Sequence, residues 1–168
     1  MRTLTEKEIW TICVWCRDQA RCLSRHIGTV LMNADETEAI GIGWNGPPCE
    51  LPMCNQGWYA KMIGRVINEC PRKNMGYPSG EGLQYCIAVH AERSAILHAA
   101  RRGESTQGSR LYMTCGVPCT PCLVEIIDAG VQEIICTETD KFYDVQSEYS
   151  LTESKLSIRK WRLEEANA

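Results

Sequence analysis

Residues 88–136, AVHAERSAILHAARRGESTQGSRLYMTCGVPCTPCLVEIIDAGVQEIIC, carry the pattern that decides the fold. Apolar residues recur at helical spacing from about Ala88 to Arg102, and Gly103 supplies the stop. Leu111 to Thr114 is an apolar run of strand length. Cys119 to Ala129 is helical again and ends at Gly130, and Glu133 to Cys136 is a second short run. Strands alternating with helices predict an α/β fold, a layered sheet with helices on both faces.

The flanking sequence extends that pattern. Thr5 and Glu8 form a capping box, with Leu4 and Ile9 placed to staple the entry to a helix. Apolar positions at Ile9, Ile12, Cys13, Cys16, Ala20 and Leu23 predict that this helix runs for about five turns. Ile27 to Met32 and Ala39 to Trp44, separated by polar turn residues, read as a hairpin. From Asn45 to Cys86 the chain is rich in proline and glycine, and only Gly57 to Asn68 could hold a helix. So much irregular chain needs an anchor. A last helix and strand are expected between Tyr149 and Leu163.

The 168 residues, 44% of them hydrophobic, predict one domain spanning 1–168 with its own core and an insertion at about 45–86. The net charge of −3 gives no broad basic field, which disfavours a nucleic-acid partner and favours a small-molecule substrate. No apolar run approaches the roughly 20 residues of a membrane span. Eleven cysteines cannot all pair within one chain, and no apolar signal segment precedes Thr5. The expectation is a soluble, cytoplasmic protein whose thiols are metal ligands or buried.

His90-Ala91-Glu92 and Pro118-Cys119-Thr120-Pro121-Cys122 are the two motifs with chemical content, each at an expected helix start. Cys119 and Cys122 share one face of a helical turn, where the helix N-terminus favours thiolate, and His90 offers a neutral nitrogen. Three such ligands leave the fourth tetrahedral position of Zn2+ for a water whose pKa falls to about 7. Glu92 is then placed to carry protons. A structural zinc knuckle is the alternative, but it needs a fourth protein ligand. His98 lies about 80° around its helix from His90, so it and His26 read as packing or surface residues. Glu92 turns the reading toward catalysis.

The paired motifs match the signature of zinc deaminases acting on nucleobases. With the turn Gly43-Trp44-Asn45-Gly46-Pro47-Pro48, the Leu111-Tyr112 strand and Ala129-Gly130-Val131, the chain resembles the deoxycytidylate (dCMP) deaminase family of the cytidine deaminase-like superfamily. That resemblance implies a three-layer α/β/α sandwich around a five-stranded mixed sheet, and hydrolysis of dCMP to dUMP and ammonia. It also implies a homo-oligomer, a hexamer in many members, activated by dCTP, which Mg2+ would accompany, and inhibited by dTTP. Asn45 would bond the sugar, amides near Ala91 and Cys119 would orient the base, and Gly43, Trp44, Asn45 and Gly46 would form the effector site. Tyr143 resembles a tyrosine that reaches the 5′-phosphate; a packing tyrosine is its other reading.

The resemblance further implies a structural zinc on Cys22, Cys54, Cys70 and Cys86, which would pin the long excursion to the first helix. Cys49 rivals Cys54, and buried free thiols are the alternative to any metal. Cys13, Cys16, Cys115 and Cys136 read as core packing. The chain departs from the family at Trp44, where a tyrosine is usual, and at Ser94, where an asparagine is usual, with Arg93 adding a charge. Arg101, Arg65, Arg72 and Lys73 are further candidates for phosphate or interface contacts. A 5-substituted cytosine nucleotide or a tRNA base is the alternative substrate, and a catalytically silent nucleotide-binding module is the non-enzyme alternative.

Overall fold

The computed structural model describes residues 2–78 and 80–163. Its centre is a five-stranded mixed sheet of order β2-β1-β3-β4-β5, built from β1 (Gly28–Met32), β2 (Ala39–Trp44), β3 (Arg110–Met113), β4 (Glu133–Cys136) and β5 (Ser157–Lys160). β1 is antiparallel to both β2 and β3, whereas β3, β4 and β5 run parallel. The parallel pairs require crossovers, which α5 (Thr120–Asp128) and α6 (Val145–Glu153) supply.

Alternation within the strands divides the core in two. Val30, Met32, Tyr112 and Ile135 face α1 (Glu6–Asp18), where Ile9, Cys13 and Cys16 cover them. Leu31, Leu111, Met113, Ile134 and Cys136 face the other way, onto α4 (Ala91–Arg102), α5 and α6. Strands buried on both faces read as unbroken apolar runs, and these do. No helix among the described residues is long and apolar enough to cross a membrane.

Four element boundaries differ from expectation. α1 ends at Asp18, short of Leu23, because the Arg21 amide donates to the Asn45 carbonyl (2.9 Å) and draws the chain away. The expected helix over 57–68 is reduced to α2 (Trp58–Ile63), stopped by Gly64 in the left-handed region at φ 72°. α4 begins at Ala91 because Val89 pairs in an isolated antiparallel bridge with Gly46. α6 begins at Val145, before Tyr149, because the Asp144 carboxylate accepts from the Ser147 amide at 2.8 Å.

The 45–86 excursion contains α2, a short helix α3 (Pro71–Asn74) and a 3-10 turn at Leu83–Tyr85. Much of its anchoring is hydrogen bonds. The Arg21 guanidinium donates to the carbonyls of Pro47 (3.1 Å), Pro48 (2.8 Å) and Leu51 (3.1 Å). Asn55 donates to the Ile67 carbonyl at 2.7 Å, the Tyr59 hydroxyl donates to Asn74, and Trp58 stacks on Tyr85 with centroids 5.8 Å apart.

Candidate active site

His90 and Cys119 occupy equivalent places, each the extended residue that caps the N-terminus of a helix, α4 and α5. Neither side chain turns back to bond its own helix. They turn toward each other instead, and Cys122, one turn into α5, joins them. Pro121 falls in the first turn, where a missing amide proton costs nothing.

The His90 Nδ1 lies 3.4 Å from the Cys119 Sγ and 3.2 Å from the Cys122 Sγ. Ideal tetrahedral zinc, with Zn–N near 2.0 Å and Zn–S near 2.3 Å, separates such ligand atoms by about 3.6 Å. The triangle therefore fits zinc after small adjustments. Among the described residues this is the one group of histidine, cysteine and acidic side chains whose ligand atoms all lie within 4.8 Å of one another. Hydrogen bonding from Cys122, with a further bond from His90, outweighs desolvation and holds the Cys119 thiol well below its ordinary range. Cys122, as donor in that pair and largely buried, is raised. The hydrogen bond between His90 and Cys119 raises His90 against desolvation.

Glu92 is 4% exposed, and its Oε2 has no hydrogen-bond partner. Burial pushes its carboxyl above the usual range, while the nearby charges of His90 and Arg25 pull it back only partly. A buried carboxylate oxygen without a partner costs stability. Its position one residue beyond Ala91 in the first turn of α4 puts that cost beside the His90, Cys119 and Cys122 triangle, an arrangement that can serve acid–base chemistry.

The other expected residues fall in three places. Asn45 is 7% exposed; its Oδ1 accepts from the Ile27 amide and its Nδ2 donates to the Arg25 carbonyl, both at 2.8 Å. Gly43 lies against the α4 backbone, where an added Cβ would sit 2.5 Å from the Ala95 nitrogen, and Gly46, at φ 146°, crowds Arg21. Trp44 meets Trp15 edge-on with centroids 6.2 Å apart. Ala91 is fully buried. Tyr143 is 52% exposed, with its hydroxyl facing Gly80 of the excursion.

Cys22, Cys54, Cys70 and Cys86 are half-buried. Burial raises the Cys54 thiol to about 11, and the charges of Cys86, Cys22 and Cys70 add to it, but no three of these four sulfurs lie within 4.8 Å of one another. Cys49 is exposed and makes no such contribution. His98 accepts from the Ile42 amide at 3.2 Å, a packing role as expected, and Arg93 pairs with Glu125 at 2.7 Å to link α4 and α5.

Two residues near the site had no clear signal in the sequence. Arg25, exposed between α1 and β1, acts on the charge of both Glu92 and Cys115. It sits in an irregular segment where no periodicity marks it. Cys115 is half-buried against the core, as expected for packing, but it lies close enough to Glu92 and Cys119 to feel their charges.

Residues 5–138 match the family described as "Cytidine and deoxycytidylate deaminase zinc-binding region". The deoxycytidylate deaminase of Saccharomyces cerevisiae is 28% identical over 166 residues, covering 98% of this chain and 47% of that protein. That of Schizosaccharomyces pombe is 31% identical over 117 residues, covering 70% of this chain and 32% of that protein. The chain thus spans half or less of these two relatives. Among solved structures, the dCMP deaminase of cyanophage S-TIM5 in complex with dCMP and dUMP superposes with a TM-score of 0.65 at 20% identity, covering 92% of this chain and 94% of that one. At that identity the likeness concerns the fold.

Proposed function

The chain belongs to the cytidine and deoxycytidylate deaminase family, and from that membership we propose that it is a zinc-dependent enzyme hydrolysing dCMP to dUMP and ammonia. The observation that carries the reading is the buried Glu92, with its Oε2 unpartnered, next to a histidine–dithiol triangle of zinc dimensions. The choice of dCMP is supported by the Saccharomyces cerevisiae deoxycytidylate deaminase, to which it is similar along 98% of its length.

His90, Cys119 and Cys122 would hold the metal, which when bound supplies the Lewis acidity that makes a nucleophilic water available at neutral pH. Glu92 takes the proton from that water as oxygen attacks C4 of the cytosine ring. It delivers that proton to N3, then takes the proton of the new C4 hydroxyl and passes it to the exocyclic nitrogen, so that the C4–N bond breaks, the C4 carbonyl forms and ammonia leaves. Burial of Glu92 keeps bulk water from competing for these protons. Exposed Arg25, whose charge reaches Glu92, is placed to offset a 5′-phosphate, and Tyr143 is proposed as its second contact.

The proposal has further parts. Cys22, Cys54, Cys70 and Cys86 hold a structural zinc, a reading supported by the charges of the other three thiols reaching Cys54. Asn45 and the backbone near Ala91 bind the substrate, and Gly43, Trp44, Asn45 and Gly46 contribute to an effector site for dCTP with Mg2+ or for dTTP in a cytoplasmic homo-oligomer. A single deaminase domain with an insertion at 45–86 carries all of these. The deciding experiment measures ammonia release from dCMP, 5-substituted dCMP, cytidine, dCTP and tRNA. Turnover of dCMP well above the others is expected; activity on tRNA alone, or on none, would overturn the reading.

A further inference from the structure

We infer that Thr29 is a positioning residue for this reaction, its buried hydroxyl fixing the first turn of α4 and so the placement of Glu92. The inference rests on the reading of Glu92 as the proton carrier. Thr29 is the second residue of β1 and is wholly buried. A hydroxyl there must find an acceptor or destabilise the fold. Thr29 Oγ1 donates to the Ala91 carbonyl at 2.8 Å, with the Gly43 carbonyl farther off at 3.3 Å. Ala91 stands between His90 and Glu92.

The packing around this bond explains why one hydroxyl matters. Ala91, Ala95 and Ala99 form a fully buried stripe along α4. Opposite them are Gly41 and Gly43 of β2, and a Cβ on either would overlap the helix backbone at Ala95 or Ala91. The helix therefore lies directly on the strand. Contact between methyl groups and bare backbone sets the separation, but it is nearly smooth and leaves rotation and sliding of the helix weakly fixed. The Thr29 bond is directional and acts at the turn that bears the reacting groups. Displacement of such groups by about 1 Å costs on the order of a hundredfold in rate.

Thr29→Val keeps the shape of the side chain and deletes the bond. Buried Thr29 cannot touch substrate, so kcat is expected to fall about tenfold with KM within about twofold and zinc retained. Thr29→Ser should restore kcat to within about threefold of the parent. Thr11→Val, which removes a similar hydroxyl-to-carbonyl bond (2.9 Å to Lys7) from the exposed side of α1, should leave kcat unchanged. Cobalt(II) in place of zinc gives a second readout: thiolate charge-transfer bands should shift in Thr29→Val and return in Thr29→Ser. If Thr29→Val does not fold, Thr29→Ala carries the same expectations.

Parent-like kcat and an unshifted cobalt spectrum in Thr29→Val, or a Thr29→Ser no better than Thr29→Val, would overturn the inference. A parent protein inactive on every cytosine substrate would instead sink the proposed activity, and the cobalt spectra would then decide on Thr29 alone.

Discussion

Replacing Glu92 with glutamine should move activity and stability in opposite directions. The substitution keeps the side chain's size and removes its charge and its capacity to carry a proton. General acid–base catalysis by one positioned group contributes about 10²- to 10⁴-fold, or roughly 3–5 kcal/mol of barrier at 1.36 kcal/mol per decade. Turnover of dCMP should therefore fall at least a hundredfold, with KM little changed. Zinc should stay bound, because Glu92 is not needed as a ligand when His90, Cys119 and Cys122 already meet.

The stability side follows from the buried Oε2 that has no partner. An unsatisfied buried polar group costs about 1–3 kcal/mol, more when charged. A neutral amide in its place relieves part of that cost, and a gain of about 1 kcal/mol raises Tm by roughly 2–4 °C in a chain of this size. Steady-state ammonia release from the zinc-loaded protein and calorimetric melting of the zinc-free protein, in which no metal-bound water can partner Oε2, give the two numbers. The reasoning is refuted if Glu92→Gln melts several degrees lower, which would make Glu92 a structural residue, or if turnover stays within tenfold of the parent.

Cys70→Ser and Cys86→Ser should each reduce bound zinc from two ions per chain to one by metal analysis, with a lower Tm; one zinc in the parent protein would remove the second site. Asn45→Asp cannot donate to the Arg25 carbonyl and should cost about 1–3 kcal/mol in denaturant unfolding, whereas an unchanged midpoint would show that the carboxamide does not hold the 25–27 segment. The Glu8 carboxyl is held near 2, first by its bond from Arg2 and then by the Thr5 amide and hydroxyl. Its folded pKa lies below the unfolded value, so its stabilisation is present above about pH 4.3 and is lost as pH falls toward 2. Glu8→Gln should flatten that part of the stability curve, and an identical acid limb in parent and variant would count against it.

The layered α/β fold was legible because both signals that define it are local. Runs such as Leu111–Thr114 and Glu133–Cys136 are short and apolar, and Gly103 and Gly130 punctuate the helices between them. The metal triangle was legible for the same reason, since cap residues of two adjacent helices converge wherever those helices pack side by side. Boundaries set by distant partners were not. Nothing near Asp18 announces that the Arg21 amide will bond Asn45, and nothing near Val89 announces Gly46. Arg25 escaped notice because it lies in an irregular segment and its charge comes to bear on Glu92 only through the fold. Gly43 and Gly46 were expected to serve an effector, and a sequence cannot reveal that each also abuts another part of the backbone.

The long excursion now has a physical explanation that does not depend on a metal. Its two ends, Gly46 and Val89, exchange a pair of hydrogen bonds of 3.1 and 2.9 Å, so the segment leaves and re-enters the fold at one point. A loop with joined ends can grow at little cost to the sheet, since closure entropy rises only with the logarithm of its length. The same clip lies beside Asn45, which holds the 25–27 segment, and one residue before His90. Disturbance within the excursion is therefore absorbed far from the sheet, whereas disturbance of the clip reaches the first turn of α4. Substitutions that loosen Gly46 or Val89 should act on the metal triangle and Glu92 before they act on the core.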